Sequence, residues 1–173
     1  MLVWLDLETT GLDPKKYTII EIGIIVTTDA LVEVAQFHHY VRPPLFAEID
    51  PWCREQHTKS GLLDRVEADG KLLNKVERET CQFLMKHLPI EKKESFLAGN
   101  SIHFDRSFRV EHMPAVLEFM HYRLLDVSAL KVIASLWCPK DRPPETEKAH
   151  TSLADLRHTL EEFTFWRKLL FKD

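Results

Sequence analysis

The sequence predicts a mixed α/β fold, because three strand-like segments come first and helical and strand-like segments alternate after them. That order argues against an all-parallel, doubly wound sheet. The chain has 173 residues, the usual length of one domain, so we expect a single domain over residues 1–173. Hydrophobic residues make up 45% of the chain, which is enough to build a core and argues against disorder.

Three strands are predicted at the start of the chain. Residues 1–7 are a short apolar run, and residues 18–28 are rich in β-branched side chains. We expect a third strand over residues 31–41, ending before Pro43 and Pro44, which cannot donate to a sheet. The short connections between these segments indicate an antiparallel meander.

Helices and two short strands are predicted after the meander. Apolar residues recur at helical spacing in the helical segments, and a proline-rich loop comes before the last one. In chain order we expect a helix (71–88), a strand (96–100), a helix broken at Pro114 (107–120), a strand (122–126), a helix (127–137), a loop (139–147) and an amphipathic helix (151–170). The predicted sheet therefore has five strands.

Charge and cysteine content limit the partners and the compartment. The chain has 23 Lys and Arg against 27 Asp and Glu, a net charge of −4, which disfavours extended binding to duplex nucleic acid but is compatible with a short anionic ligand. Three widely spaced cysteines predict neither a zinc site nor a disulfide framework. No apolar run reaches the ~20 residues that span a bilayer. We expect a cytoplasmic protein, or a mitochondrial one if a transit segment precedes the printed sequence.

The residues with the clearest chemical meaning are four acids. Asp6 and Glu8 are two positions apart on the first predicted strand, so both carboxylates point to one face. Such a pair is often a solvated edge, but in an apolar setting a divalent cation such as Mg²⁺ or Mn²⁺ would relieve the repulsion. Asp105 follows the strand at 96–100, and Asp155 lies in the first turn of the last predicted helix. Together these acids favour a metal site.

Three segments that contain these acids resemble the motifs of the DEDD exonucleases of the ribonuclease H-like superfamily, in the subgroup with a catalytic histidine. The segments are Asp6-Leu-Glu8-Thr-Thr-Gly-Leu-Asp13, Gly99-Asn-Ser-Ile-His-Phe-Asp105 and His150-Thr-Ser-Leu-Ala-Asp155. His57-Thr-Lys-Ser-Gly-Leu-Leu63 and His121-Tyr-Arg-Leu-Leu-Asp126-Val-Ser resemble the oligoribonucleases in particular. The resemblance covers nearly the whole chain and implies a ribonuclease H-like exonuclease fold, with a mixed five-stranded sheet flanked by helices.

The resemblance also implies a reaction. It is 3′→5′ hydrolysis of dinucleotides and very short RNA to nucleoside 5′-monophosphates, the last step of RNA degradation. Asp6, Glu8, Asp105 and Asp155 would hold two divalent ions, Mg²⁺ or Mn²⁺, and His150 would be the catalytic base. A proofreading or repair type of 3′→5′ DNA exonuclease is the alternative, and a catalytically silent nucleic-acid-binding domain is a third interpretation.

Substrate contacts are a further implication of the resemblance. Trp52 would stack on a base and Leu12 would lie between two bases. The polar substrate-binding residues would be His57, Ser101, Tyr122 and Arg123, of which the last three would cap the 5′ phosphate. From the residue type alone, a core position for Trp52 is about as well supported as a substrate-binding one, because tryptophan is highly buried on average. The polar neighbours of Trp52 favour a cleft.

The later predicted helices carry a surplus of apolar residues. The sheet can cover one face of these helices, so the remainder is either core or a partner surface. The residues concerned are Val116, Phe119, Met120, Val132, Ile133, Leu136 and Trp137. The pattern alone does not choose between these, but the resemblance favours a two-fold dimer in which Tyr122 reaches the site of the partner subunit.

Overall fold

The computed structural model describes residues 1–89, 94–140, 143 and 151–171. Within them, five strands form one mixed sheet in the order β3-β2-β1-β4-β5. The strands are β1 (Leu2–Thr9), β2 (Ile19–Thr27), β3 (Glu33–Tyr40), β4 (Phe96–Gly99) and β5 (Leu124–Asp126). The first three pair antiparallel, and β4 and β5 join on the other side of β1 as parallel strands. The predicted meander and the mixed five-stranded sheet are confirmed.

Seven helices are described. They are α1 (Pro51–Lys59), α2 (Leu62–Asp69), α3 (Leu73–His87), α4 (His103–His112), α5 (Pro114–Leu117), α6 (Val127–Trp137) and α7 (Ser152–Leu170). Helix α4 begins four residues earlier than predicted, and most of the predicted loop 139–147 lies outside the described residues.

The sequence analysis missed α1 and α2, because neither has a long apolar face. Helix α1 buries only Cys53 and His57. Its start is instead stabilised by a cap, since the Asp50 carboxylate accepts hydrogen bonds from the backbone N–H groups of Trp52 at 2.9 Å and Cys53 at 3.3 Å.

Apolar residues cover both faces of the sheet. On one face, odd-numbered residues of β1 such as Val3 and Leu5 pack in a core with residues of α3 and α4, including Leu84 and Phe108. On the other face, even-numbered residues of β1 and residues of α6 and α7 form a second core, in which the ring of Trp4 meets that of Phe163 edge-on at 5.2 Å. The sheet therefore lies between two helical layers.

Two residues assigned to the apolar surplus belong to the core. Val116 and Met120 are buried against the first core, because α5 turns back towards α3. Phe119 also packs there, half-buried. On α6, by contrast, Val132, Leu136 and Trp137 are 59%, 66% and 73% exposed, and Ile133 is half-buried. Of the apolar residues predicted to be either core or partner surface, those that are exposed all lie on α6.

Candidate active site

Three of the predicted acids meet at one end of β1. Asp6 and Glu8 project from the same face of this strand, and Asp155 comes from the first turn of α7. One carboxylate oxygen of each lies within 4.8 Å of the others. Carboxylate oxygens at this spacing are the ligands that Mg²⁺ and Mn²⁺ prefer, so the donor set fits a divalent cation.

Asp105 stands beside this group and is held to β1. It lies in the first turn of α4 and is buried, and its Oδ1 accepts a hydrogen bond from the backbone N–H of Leu7 at 2.9 Å. Leu7 is the residue between Asp6 and Glu8, so the bond fixes the fourth acid relative to the strand. Asp105 does not belong to the group of three acids whose carboxylate oxygens lie within 4.8 Å of one another.

Burial and mutual repulsion make full ionisation of these acids unfavourable without a cation. Burial, and then the charge of Glu21, raise the pKa of Glu8 from its usual 4.5 to about 8. Burial raises the pKa of Asp105 to about 7, although the hydrogen bond from Leu7 opposes this shift. Burial and the charge of Asp105 also raise the pKa of Asp6 well above its usual range. A bound divalent cation would compensate this concentrated negative charge.

A glycine that the sequence analysis did not single out lets α7 approach the sheet. Gly23 on β2 lies opposite Asp6. A Cβ atom at this position would lie 2.6 Å from the Oγ of Ser152 and 3.0 Å from its carbonyl carbon. The first residue of α7 therefore occupies the space of a missing side chain, and Asp155, one turn further on, reaches the acids of β1.

A hydrogen-bonded turn follows the end of β4. Ser101 has a left-handed backbone with φ of 50°, and its N–H donates to Asp126 Oδ1 at 3.0 Å and to Ser128 Oγ at 2.9 Å. The Asn100 amide donates to Thr159 Oγ1 at 2.9 Å. Ser128 was missed by the sequence analysis, although it is the serine of the Asp126-Val-Ser segment.

The predicted base-contacting residues are on the surface. Trp52 is 65% exposed, which excludes the core alternative for its ring, and Leu12 is also exposed. Tyr122 and Arg123 are exposed beside each other, with the guanidinium 5.3 Å from the ring centre.

His57 lies against the acid group. Its Nε2 donates to the carbonyl oxygen of Thr9 at 2.8 Å, and its Nδ1 is 3.9 Å from Glu8 Oε2. This places the imidazole beside a predicted metal ligand. His150 lies outside the described residues.

Similar proteins match nearly the whole chain. The family model for RNase T, described as an exonuclease, matches residues 3–163. Oligoribonucleases of Haemophilus influenzae and Bordetella pertussis are 38% and 40% identical over 99% of the chain and over 95% and 96% of their own lengths. The chain belongs to the oligoribonucleases of the RNase T exonuclease family. A probable oligoribonuclease of Schizosaccharomyces pombe is 36% identical over 96% of the chain and 67% of its own length.

This member of the oligoribonucleases shares its fold with several solved structures. Exonuclease I of Methylocaldum szegediense matches 98% of the chain with a TM-score of 0.76 at 17% identity. Escherichia coli exonuclease I in complex with a dT13 oligonucleotide matches 96% with a TM-score of 0.75 at 13% identity. The chain spans about two fifths of these proteins, 40% and 41% of their lengths. At this identity the likeness concerns the fold, and it confirms the predicted ribonuclease H-like exonuclease fold.

Membership of the exonuclease family implies a divalent metal, and the acid group described above fits one. The family and the acids together make the protein a nuclease of the hydrolase class. In the parts of the chain that the structure describes, no helix has both the length and the apolar character needed to cross a membrane.

Proposed function

We propose that the protein is a 3′→5′ exoribonuclease that hydrolyses dinucleotides and very short RNA to nucleoside 5′-monophosphates, with residues 1–173 as one exonuclease domain. The observation that carries this proposal is the group of Asp6, Glu8 and Asp155 within 4.8 Å, in a chain that matches oligoribonucleases over 99% of its length. The low net charge agrees with a short substrate, because a long nucleic acid needs many basic contacts.

Asp6, Glu8, Asp105 and Asp155 would hold two ions, Mg²⁺ or Mn²⁺. When bound, such ions lower the pKa of a water molecule and offset charge on the phosphoryl group. The residues of the chain then have separate tasks. The Leu7 N–H keeps the Asp105 carboxylate turned towards β1. His150, which directly precedes the N-cap residue of α7, accepts the proton of the attacking water at its imidazole ring.

The exposed side chains around the acids would select a short substrate. The free face of Trp52 stacks on one base and Leu12 lies between the two bases. Ser101 and Arg123 bind the 5′ phosphate, and the contact between Ser101 and Ser128 adds a second hydroxyl to this cap. His57 contributes a polar contact beside Glu8. Because the cap closes the cleft after two nucleotides, dinucleotides are preferred to long RNA.

The exposed face of α6 is the proposed homodimer surface. Val132, Leu136 and Trp137 form an apolar strip on this helix, and the exposed Tyr122 is close to its start along the chain. A two-fold pairing of this surface would bring each Tyr122 to the phosphate cap of the partner subunit. A particle near twice 20.3 kDa is expected in sedimentation at micromolar concentration.

Mixed chains test whether the site is shared. In a heterodimer of His150→Ala with Tyr122→Phe, one site carries both changes and the other carries neither. Activity above that of either parent is therefore expected. A monomer in sedimentation, or no gain after proven exchange of chains, contradicts the shared site.

Substrate length and sugar type test the proposed function itself. The unmodified protein with Mg²⁺ or Mn²⁺ is given 5′-phosphorylated di-ribonucleotides, a longer RNA of equal composition and single-stranded DNA, each with a chelator control. Fast, chelator-sensitive turnover of the di-ribonucleotide is expected. Preference for DNA would favour a DNA exonuclease, and no metal-dependent turnover would favour a binding domain. His150→Ala should lose most of the turnover and keep cation binding.

A further inference from the structure

A fifth carboxylate, which is fully buried, lies next to the four acids of the site. Glu21 on β2 is 0% exposed and pairs directly with Glu8 in the antiparallel register of β1 and β2. Directly opposed residues of such a pair project to the same face, with Cβ atoms about 4.5–5.5 Å apart. Glu21 is therefore a neighbour of Glu8, and after burial its charge is the next largest cause of the raised pKa of Glu8.

A histidine of the next strand holds Glu21 in place. The His38 Nε2 is 2.6 Å from Glu21 Oε1, and His38 lies two residues along β3 from Tyr40, the residue paired with Glu21. The other oxygen, Oε2, is buried and has no hydrogen-bond partner among the residues that the structure describes. Glu21 is thus anchored by one oxygen on the side away from β1.

Stability does not account for a carboxylate in this position. Burying a charged group costs free energy unless it is fully paired, and the nearby acids repel it further. The same negative charge favours a cation bound in front of it. Residues directly behind metal ligands commonly change metal affinity without touching the metal.

We propose that Glu21 is a positioning residue for divalent cations: its negative charge behind Glu8 strengthens cation binding by the acid group, and His38 holds the carboxylate there. This inference rests on the proposed cation site. Among the described residues, Glu21 is not one of the three acids whose carboxylate oxygens lie within 4.8 Å of one another.

Calorimetric titration of the full chain with Mn²⁺, without substrate, tests the proposal. Glu21→Gln keeps the shape of the side chain and removes its charge. We expect it to weaken Mn²⁺ binding by about 10–100-fold, the usual scale for residues behind metal ligands. Glu21→Asp retains the charge and should recover part of the affinity.

The matched control is Glu79→Gln. Glu79 is also paired with a histidine of β3, since its Oε2 is 2.8 Å from His39 Nε2, but it lies on α3, away from the four acids. Its substitution should leave Mn²⁺ affinity unchanged. Glu21 and Glu79 are thus both paired with a histidine of β3, and of these two only Glu21 is next to the site.

The unfolding free energy, measured in the presence of chelator, distinguishes an electrostatic role of Glu21 from a structural one. If Glu21 serves the cation, Glu21→Gln leaves the metal-free protein as stable or more stable, because repulsion is removed. If Glu21 is only structural, the variant is less stable and binds Mn²⁺ as the unmodified protein does, which overturns the proposal. Equal Mn²⁺ affinity of Glu21→Gln and Glu79→Gln also overturns it. Absence of Mn²⁺ binding by the unmodified protein would refute the cation site itself, a distinguishable outcome.

Discussion

Replacement of Gly23 by alanine tests whether the close approach of α7 to the sheet positions Asp155. The new Cβ would lie 2.6 Å from Ser152 Oγ, 2.9 Å from Ser152 Cβ and 3.0 Å from Ser152 C, whereas ordinary contacts begin at 3.4 Å. Ser152 is fully buried and cannot swing away. The first turn of α7, which carries Asp155, must therefore move by about half an ångström or more.

This displacement has two measurable costs. Overpacking of a closed interior typically lowers the unfolding free energy by about 1–3 kcal/mol. A shift of about 1 Å at a catalytic group costs about 100-fold in rate, so we expect at least a tenfold loss of turnover and weaker cation binding. Denaturant unfolding in chelator, Mn²⁺ calorimetry and dinucleotide hydrolysis measure these effects.

Two further variants make the experiment decisive. Gly70→Ala places a Cβ 2.3 Å from the Val66 carbonyl oxygen, at the end of α2, so it should reduce stability without changing cation affinity. Gly23→Ala combined with Ser152→Gly removes the two side-chain clashes and should recover part of both losses. Normal turnover and cation affinity in Gly23→Ala alone would refute the role of this contact.

Other expectations concern the acids and the substrate contacts. Asp6→Ala should abolish turnover without lowering the stability of the metal-free protein, because repulsion is relieved; activity near that of the unmodified protein would contradict the metal site. Since the pKa values of Glu8 and Asp105 are raised to about 8 and 7, the metal-free folded state binds more protons than the unfolded chain. Its unfolding free energy should therefore fall as the pH rises from about 4 to 8, and saturating Mg²⁺ should reduce this fall. An unfolding free energy that rises with pH in the presence of chelator would contradict the raised pKa values. Trp52→Ala should weaken dinucleotide binding by about 1–3 kcal/mol in calorimetry while the fold stays intact. Arg123→Ala should remove the preference for dinucleotides with a 5′ phosphate. Equal losses on substrates with and without that phosphate would show that Arg123 is not part of the phosphate cap.

Features that depend on neighbours along the chain could be predicted from the sequence. The period of two in β1 placed Asp6 and Glu8 on one face, because successive residues of any strand alternate. The meander, the two later strands and α7 followed from apolar spacing and from proline and glycine positions. The short, polar α1 escaped this reasoning, because the Asp50 cap and not an apolar stripe stabilises its start.

Features that depend on contacts between distant segments were decided by the tertiary structure. The sequence does not reveal that Gly23 makes room for Ser152, or that Glu21 and Glu8 share a row of the sheet, because strand register follows from the packing of whole elements. In the same way, apolar spacing could not tell the buried Val116 from the exposed Leu136, since both have the same hydrophobic character. By itself the sequence determined which residue types could bind a cation. The fold decided how close they come, because distance between remote residues is a property of packing.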